Sequence, residues 1–169
     1  AGSWSSYGSR TIVIDTTAPT ASVTTATITN SGNAVVQSTE TGTAYLVKTT
    51  VSVSNLASIT GAADSQWNSV AISSASTNTN LAATGLANGT YKVYAIDAAG
   101  NLSSASSNSV TVDTTAPTAP SVSGTTPTND TTPTWSWSSG GGGNGTYRYK
   151  LDSIDFSSGA TETTSTSYT

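Results

Sequence analysis

Short runs of alternating apolar and polar residues recur along the chain, and no window carries an apolar stripe at the helical period of about 3.6 residues. The clearest run is Thr90-Tyr91-Lys92-Val93-Tyr94-Ala95-Ile96, which places Tyr91, Val93 and Ala95 on one face of a strand. Shorter runs predict strands at Ala21–Val23, Ala34–Gln37, Thr43–Val47, Val70–Ile72, Leu81–Thr84 and Ser109–Val112. A polar, irregular stretch carrying Trp67 separates the third and fourth of these. Asn-Gly in Leu86-Ala87-Asn88-Gly89 signals a hairpin or turn, and Asp97-Ala98-Ala99-Gly100-Asn101 reads as the exit loop of the clearest strand. Strands this polar must hide one face against another, so the expected fold class is an all-β sandwich with helix content near zero. Tyr91, Val93, Ala95, Val35 and Leu46 are the expected contributors to its core or sheet faces.

An internal repeat sets the organisation. Ile14-Asp15-Thr16-Thr17-Ala18-Pro19-Thr20 returns as Val112-Asp113-Thr114-Thr115-Ala116-Pro117-Thr118, a displacement of 98 residues. The match runs backwards too: Ala1-Gly2-Ser3 falls on Ala99-Gly100-Asn101, and Ile12 and Ile14 fall on Val110 and Val112. The period is that of one immunoglobulin-like module, so the expected architecture is tandem immunoglobulin-like (Greek-key) β-sandwich modules. Residues 1–15 read as the last strand of a preceding module, 16–113 as a complete module, and 114–169 as the opening part of a following one. Thr-Thr-Ala-Pro is the linker, kept short and stiff because proline fixes its own φ and extends the residue before it.

Composition narrows the chemistry. Only 8% of residues are charged, the net charge is −4, and there is no Cys, Met or His. Disulfide stapling, thiol chemistry and zinc sites built on Cys or His are thereby excluded. The five basic residues, Arg10, Lys48, Lys92, Arg148 and Lys150, are scattered, which gives nucleic acid no electrostatic footing. No run is long and apolar enough for a membrane span, and no signal peptide is visible; targeting signals are expected to lie outside this segment. Without His or Cys, and with no Ser in a nucleophile-elbow context, the chain is not expected to be an enzyme.

The nine carboxylates carry most of the remaining information. Sandwich topology brings the second-to-third strand loop and the last long loop to the end where the chain enters a module. Those loops hold Glu40 and Asp97 with Asn101, and the incoming linker holds Asp15. Like charges gathered in one place repel unless a cation sits among them. Ca²⁺ is the natural counter-ion, since it takes hard oxygen ligands from carboxylates, amides and carbonyls. Against this, Asp and Asn are ordinary turn formers, and Asp97 to Asn101 is also readable as a turn and nothing more. Asp113 repeats Asp15, but the corresponding loop of the following module, Ser138 to Gly145, has no acid. Asp64, Asp130, Asp152, Asp155 and Glu162 read as solvated loop or strand-edge residues.

Trp135 and Trp137 alternate and so share a face, which reads as the core of a strand or as a stacking platform for a sugar. Trp67, in its polar stretch, is the better candidate for an exposed aromatic. The Asp-Thr-Thr-Ala-Pro linkers at Asp15 and Asp113, together with Asp97-Ala98-Ala99-Gly100-Asn101, resemble bacterial immunoglobulin-like repeats of giant surface adhesins exported by type I secretion. That resemblance implies an extracellular or cell-surface extender, partnered by neighbouring modules of the same chain and stiffened by calcium at the joints. The ligands it implies are Asp15, Asp97 and Asn101, with Asp113 serving the next joint; Glu40 is added from topology alone. Strand exchange between copies is a further expectation, with Arg10 to Ile14 pairing into the Trp135 sheet of another copy. The alternative function is a carbohydrate-binding or accessory β-sandwich of a secreted polysaccharide-degrading enzyme.

Overall fold

The computed structural model describes residues 13–169. The chain divides into two compact units, Ala1–Thr114 and Thr115–Thr169. Unit 1 contains strands β1 (Ala21–Val23), β2 (Ala26–Ile28), β3 (Asn33–Ser38) and β4 (Gly42–Lys48), then the single-turn helix α1 (Leu56–Thr60). Strands β5 (Trp67–Ile72), β6 (Thr79–Ala82), β7 (Gly89–Asp97) and β8 (Val110–Val112) complete it. Unit 2 contains β9 (Ser121–Ser123), β10 (Trp135–Ser138), β11 (Tyr147–Tyr149), β12 (Thr161–Thr163) and β13 (Ser167–Tyr168). The fold is all-β with almost no helix.

Two sheets build unit 1. One has three strands in the order β1-β3-β6, the other five in the order β2-β8-β7-β4-β5. Every pairing is antiparallel except β2 with β8. Alternation dictates which residues meet between the sheets: Ala21, Val23, Ala34, Val36, Leu46, Leu81, Tyr91, Val93, Ala95, Val110 and Val112 all enter one core. Val35 lies on the opposite face of β3 and is half-buried. Burying the valine and leucine side chains among these contributes roughly 1.5–3 kcal/mol each, which holds together a sandwich that has no disulfide.

Trp67 is not an exposed aromatic. It opens β5 and packs into a smaller cluster with Tyr45, Val47 and Ile59 on the outer side of the five-stranded sheet, its ring centroid 6.0 Å from that of Tyr45. The segment between β4 and β5 folds over that face, and α1 plugs it with the buried Ile59. One turn is too short to show a helical period, but its start is locally encoded. The Asn55 side chain accepts from Ser58 N at 2.9 Å, and Ser58 Oγ accepts from Asn55 N at 3.2 Å, a reciprocal capping box. Asn88-Gly89 makes no hairpin, because β6 and β7 belong to different sheets; the dipeptide carries the chain across the sandwich.

Beyond Tyr91 the β7 edge outruns its pairing with β8. Two buried serines take over. Ser106 N donates to Val93 O at 2.8 Å, while Ser106 Oγ accepts from Val93 N at 2.9 Å. Ser103 treats Ala95 the same way, at 2.8 and 2.9 Å. Each serine thus satisfies both backbone groups of a core residue with no regular strand present. Ser106→Ala is expected to leave Val93 N–H buried and unpaired and to lower unfolding stability by about 1–3 kcal/mol. A chemical denaturation curve checks it, and a shift below a few tenths of a kcal/mol would count against the clamp.

Candidate metal centre

The end of unit 1 at which the chain enters gathers three carboxylates. Single oxygens of Asp15, Glu40 and Asp97 lie within 4.8 Å of one another. Asp97 is the last residue of β7 and is buried, Glu40 sits half-buried in the β3–β4 loop, and Asp15 is exposed on the lead-in to β1. Their approach follows from register, because Gly42 at the start of β4 pairs directly with Asp97 at the end of β7. That places the loop just before Gly42 beside the loop just after Asp97.

Gly42 allows this closeness. Its φ is +150°, and a Cβ there would stand 2.0 Å from Ile96 O. Gly100, with φ +95°, closes the tight turn after β7. The lead-in is then pinned to the β3–β4 loop: Thr20 N donates to Thr39 Oγ1 at 2.8 Å and Thr39 N to Thr20 O at 3.1 Å. Nothing in the sequence pattern singles out Thr39 beyond its place next to Glu40.

Asn101 ties the cluster together as a donor. Its Nδ2 donates to Asp97 Oδ2 at 2.8 Å and to the Asp15 carbonyl at 3.2 Å, and its backbone N–H donates to Asp97 Oδ1 at 2.9 Å. Offering Oδ1 to a metal, as the resemblance implies, requires the amide to flip. As placed, Asn101 braces Asp97 and holds the lead-in backbone. Desolvation pushes the Asp97 carboxyl up, but hydrogen bonds from the Asn101 side chain and from the backbone of Asn101, Gly100 and Ala99 outweigh it and hold the pKa below its ordinary value. Asp97 is thereby kept ionised beside two other acids.

No described basic side chain answers this charge. Among the described residues the ion pair present is Arg148 with Glu162, in unit 2. Three carboxylate oxygens placed this way could hold a metal ion, since carboxylates are hard oxygen donors. Asp113 lies elsewhere. Its N–H donates to Ile28 O at 2.8 Å, its Oδ1 accepts from Asn88 Nδ2 at 3.4 Å, and among the described residues no group of three acids includes it. Asp64, Asp130, Asp152, Asp155 and Glu162 are exposed.

The aromatics of unit 2 form a second feature. Trp137 packs against Tyr147 and Tyr149 at centroid distances of 6.1 and 5.9 Å, with ring planes inclined by 59° and 35°. Among the described residues no helix is long and apolar enough to cross a membrane. No protein-family model matches the chain, and neither a curated protein nor a solved structure matches it significantly.

Proposed function

We propose that the chain is a structural spacer: a stretch of tandem immunoglobulin-like modules from an extracellular bacterial adhesin or filament, with calcium stiffening the joint where a module is entered. The observation that carries this reading is the meeting of Asp15, from the linker, with Glu40 and Asp97, from the module the linker leads into. A cation held by all three restrains the linker relative to the module. Contacts at such joints are otherwise small and polar, so relative motion is the default. The repeat of Asp-Thr-Thr-Ala-Pro after 98 residues supports the tandem arrangement, as does the strand order of the two sheets in unit 1. On this reading the chain has no catalytic role.

Sugar binding is less well supported. Trp135 and Trp137 are half-buried rather than presented, and the rings around Trp137 are mutually tilted rather than coplanar.

Hydrogen exchange on the full chain with and without calcium tests the joint. Calcium is expected to protect the backbone amides of Thr17 and Asn101, which already donate to the Asp15 and Asp97 carboxylates, and Glu40→Gln is expected to diminish that protection. Equal exchange at these amides in calcium and in chelator would refute a calcium-stiffened joint.

A further inference from the structure

Where the chain leaves unit 1, a side chain continues a ladder that the backbone has finished. Val112, the last residue of β8, pairs with Gly89 of β7 on one side and with Ile28 of β2 on the other. One residue on, Asp113 N still donates to Ile28 O at 2.8 Å, so backbone alone extends the β2 side. The β7 side differs, because Gly89 opens that strand and the residue before it belongs to the crossing between the sheets. Asn88 fills the place with its amide. Its Oδ1 accepts from Thr114 N at 3.1 Å and from Thr114 Oγ1 at 2.7 Å, and its Nδ2 donates to Asp113 Oδ1 at 3.4 Å.

A side-chain amide offers a carbonyl acceptor and N–H donors, the same groups as a peptide unit. Its orientation at Asn88 is settled by chemistry, since Thr114 N–H can meet only an acceptor and that acceptor is Oδ1. Thr114 is exposed, so these bonds, and not burial, shelter its amide. The tripeptide Asp113-Thr114-Thr115, whose first two residues are gripped in this way, repeats Asp15-Thr16-Thr17. At Asp15 the linker is held by a second asparagine: Asn101 Nδ2, from the loop after β7, donates to the Asp15 carbonyl at 3.2 Å.

We infer that Asn88 is an exit latch: its amide stands in for one more peptide unit of β7 and holds the first two linker residues, Asp113 and Thr114, to the module they leave. Asn101 does the matching task at entry, so β7 is flanked by one asparagine for each linker. The purpose of the latch rests on the tandem-spacer reading, in which a linker transmits direction only if the module it leaves holds it as firmly as the one it enters. The latch itself needs no ion, because the protein supplies each of these donors and acceptors. The calcium joint needs one.

Amide hydrogen exchange on the full chain, resolved to single residues, reads the latch at Thr114. Asn88→Ala is expected to speed exchange there roughly five- to thirtyfold, as the loss of a hydrogen-bond acceptor implies, while Tyr91, Val93 and Val110 keep their protection. Asn88→Asp keeps the acceptor but sets a carboxylate against Asp113, and its effect should fall between those of alanine and asparagine. Thr114→Val removes the hydroxyl donor and keeps the N–H, so it should speed exchange by a smaller factor; it carries the test if Asn88→Ala does not fold. Chelator should leave Thr114 unchanged, so the latch and the calcium joint fail separately. Unaltered exchange at Thr114 in the variants would overturn the inference. So would acceleration spread evenly over β7 and β8, or protection of Thr114 that disappears with calcium.

Discussion

Removing calcium is expected to lower the melting temperature of unit 1 by roughly 10–20 °C relative to the saturated protein. An ion that binds only the folded state stabilises it by mass action, about 2.7 kcal/mol when its free concentration is about a hundred times the dissociation constant. In a domain of about a hundred residues, each kcal/mol moves the midpoint by roughly 4–8 °C. The folded state is required because the three candidate carboxylates come from residues 15, 40 and 97, which meet only once β4 has paired with β7 and the lead-in has docked on the β3–β4 loop. Magnesium should substitute poorly, since it demands a smaller and more regular oxygen shell than two loops and a linker provide. Thermal melts followed by circular dichroism in calcium, magnesium and chelator check this. Coincident melts in all three would leave the proline linker as the source of stiffness.

The second large effect is expected at Gly42. An alanine Cβ there would lie 2.0 Å from Ile96 O and 3.0 Å from Asp97 Cα, both backbone atoms with no rotamer to retreat into. The strands would have to part at the register position that sets Glu40 beside Asp97. Gly42→Ala is expected to cost about 3 kcal/mol or more, combining positive-φ strain with overpacking, and to weaken calcium binding by at least roughly tenfold. Gly89 is the control. Its φ, +147°, is nearly the same, but a Cβ there meets the movable end of Lys48, with Cε at 2.6 Å. Gly89→Ala should therefore cost only the backbone strain, about 1–3 kcal/mol, and leave calcium affinity unchanged. Equal losses at the two glycines would mean that φ alone, and not the close approach at the site, governs both.

Legibility followed physical scale. Strands β1, β3, β4, β7 and β8 announce themselves because alternation over several residues is a property of the local sequence. Strand β2 does not, since Ala26-Thr27-Ile28 is a three-residue edge that gains its identity from parallel pairing with β8, more than 80 residues away. The Ser103 and Ser106 clamps read as loop because their role depends on which backbone groups β7 leaves unpaired. Trp67 reads as exposed from sequence for a related reason: a polar neighbourhood in sequence becomes a sheltered one once α1 folds over the outer face of β4. At the site, the convergence of Asp15, Glu40 and Asp97 follows from sandwich topology, which brings their loops to one end of the module. The orientation of Asn101 does not, because a single amide serves equally as donor or ligand until its partners are fixed.

The calcium joint is put to direct test by isothermal calorimetry of the full chain with calcium, run beside Glu40→Gln and Asp97→Asn. One ion is expected to bind per chain, with affinity reduced at least roughly tenfold in each variant and far-ultraviolet circular dichroism unchanged. No binding by the natural sequence, or binding that both variants retain undiminished, would contradict it.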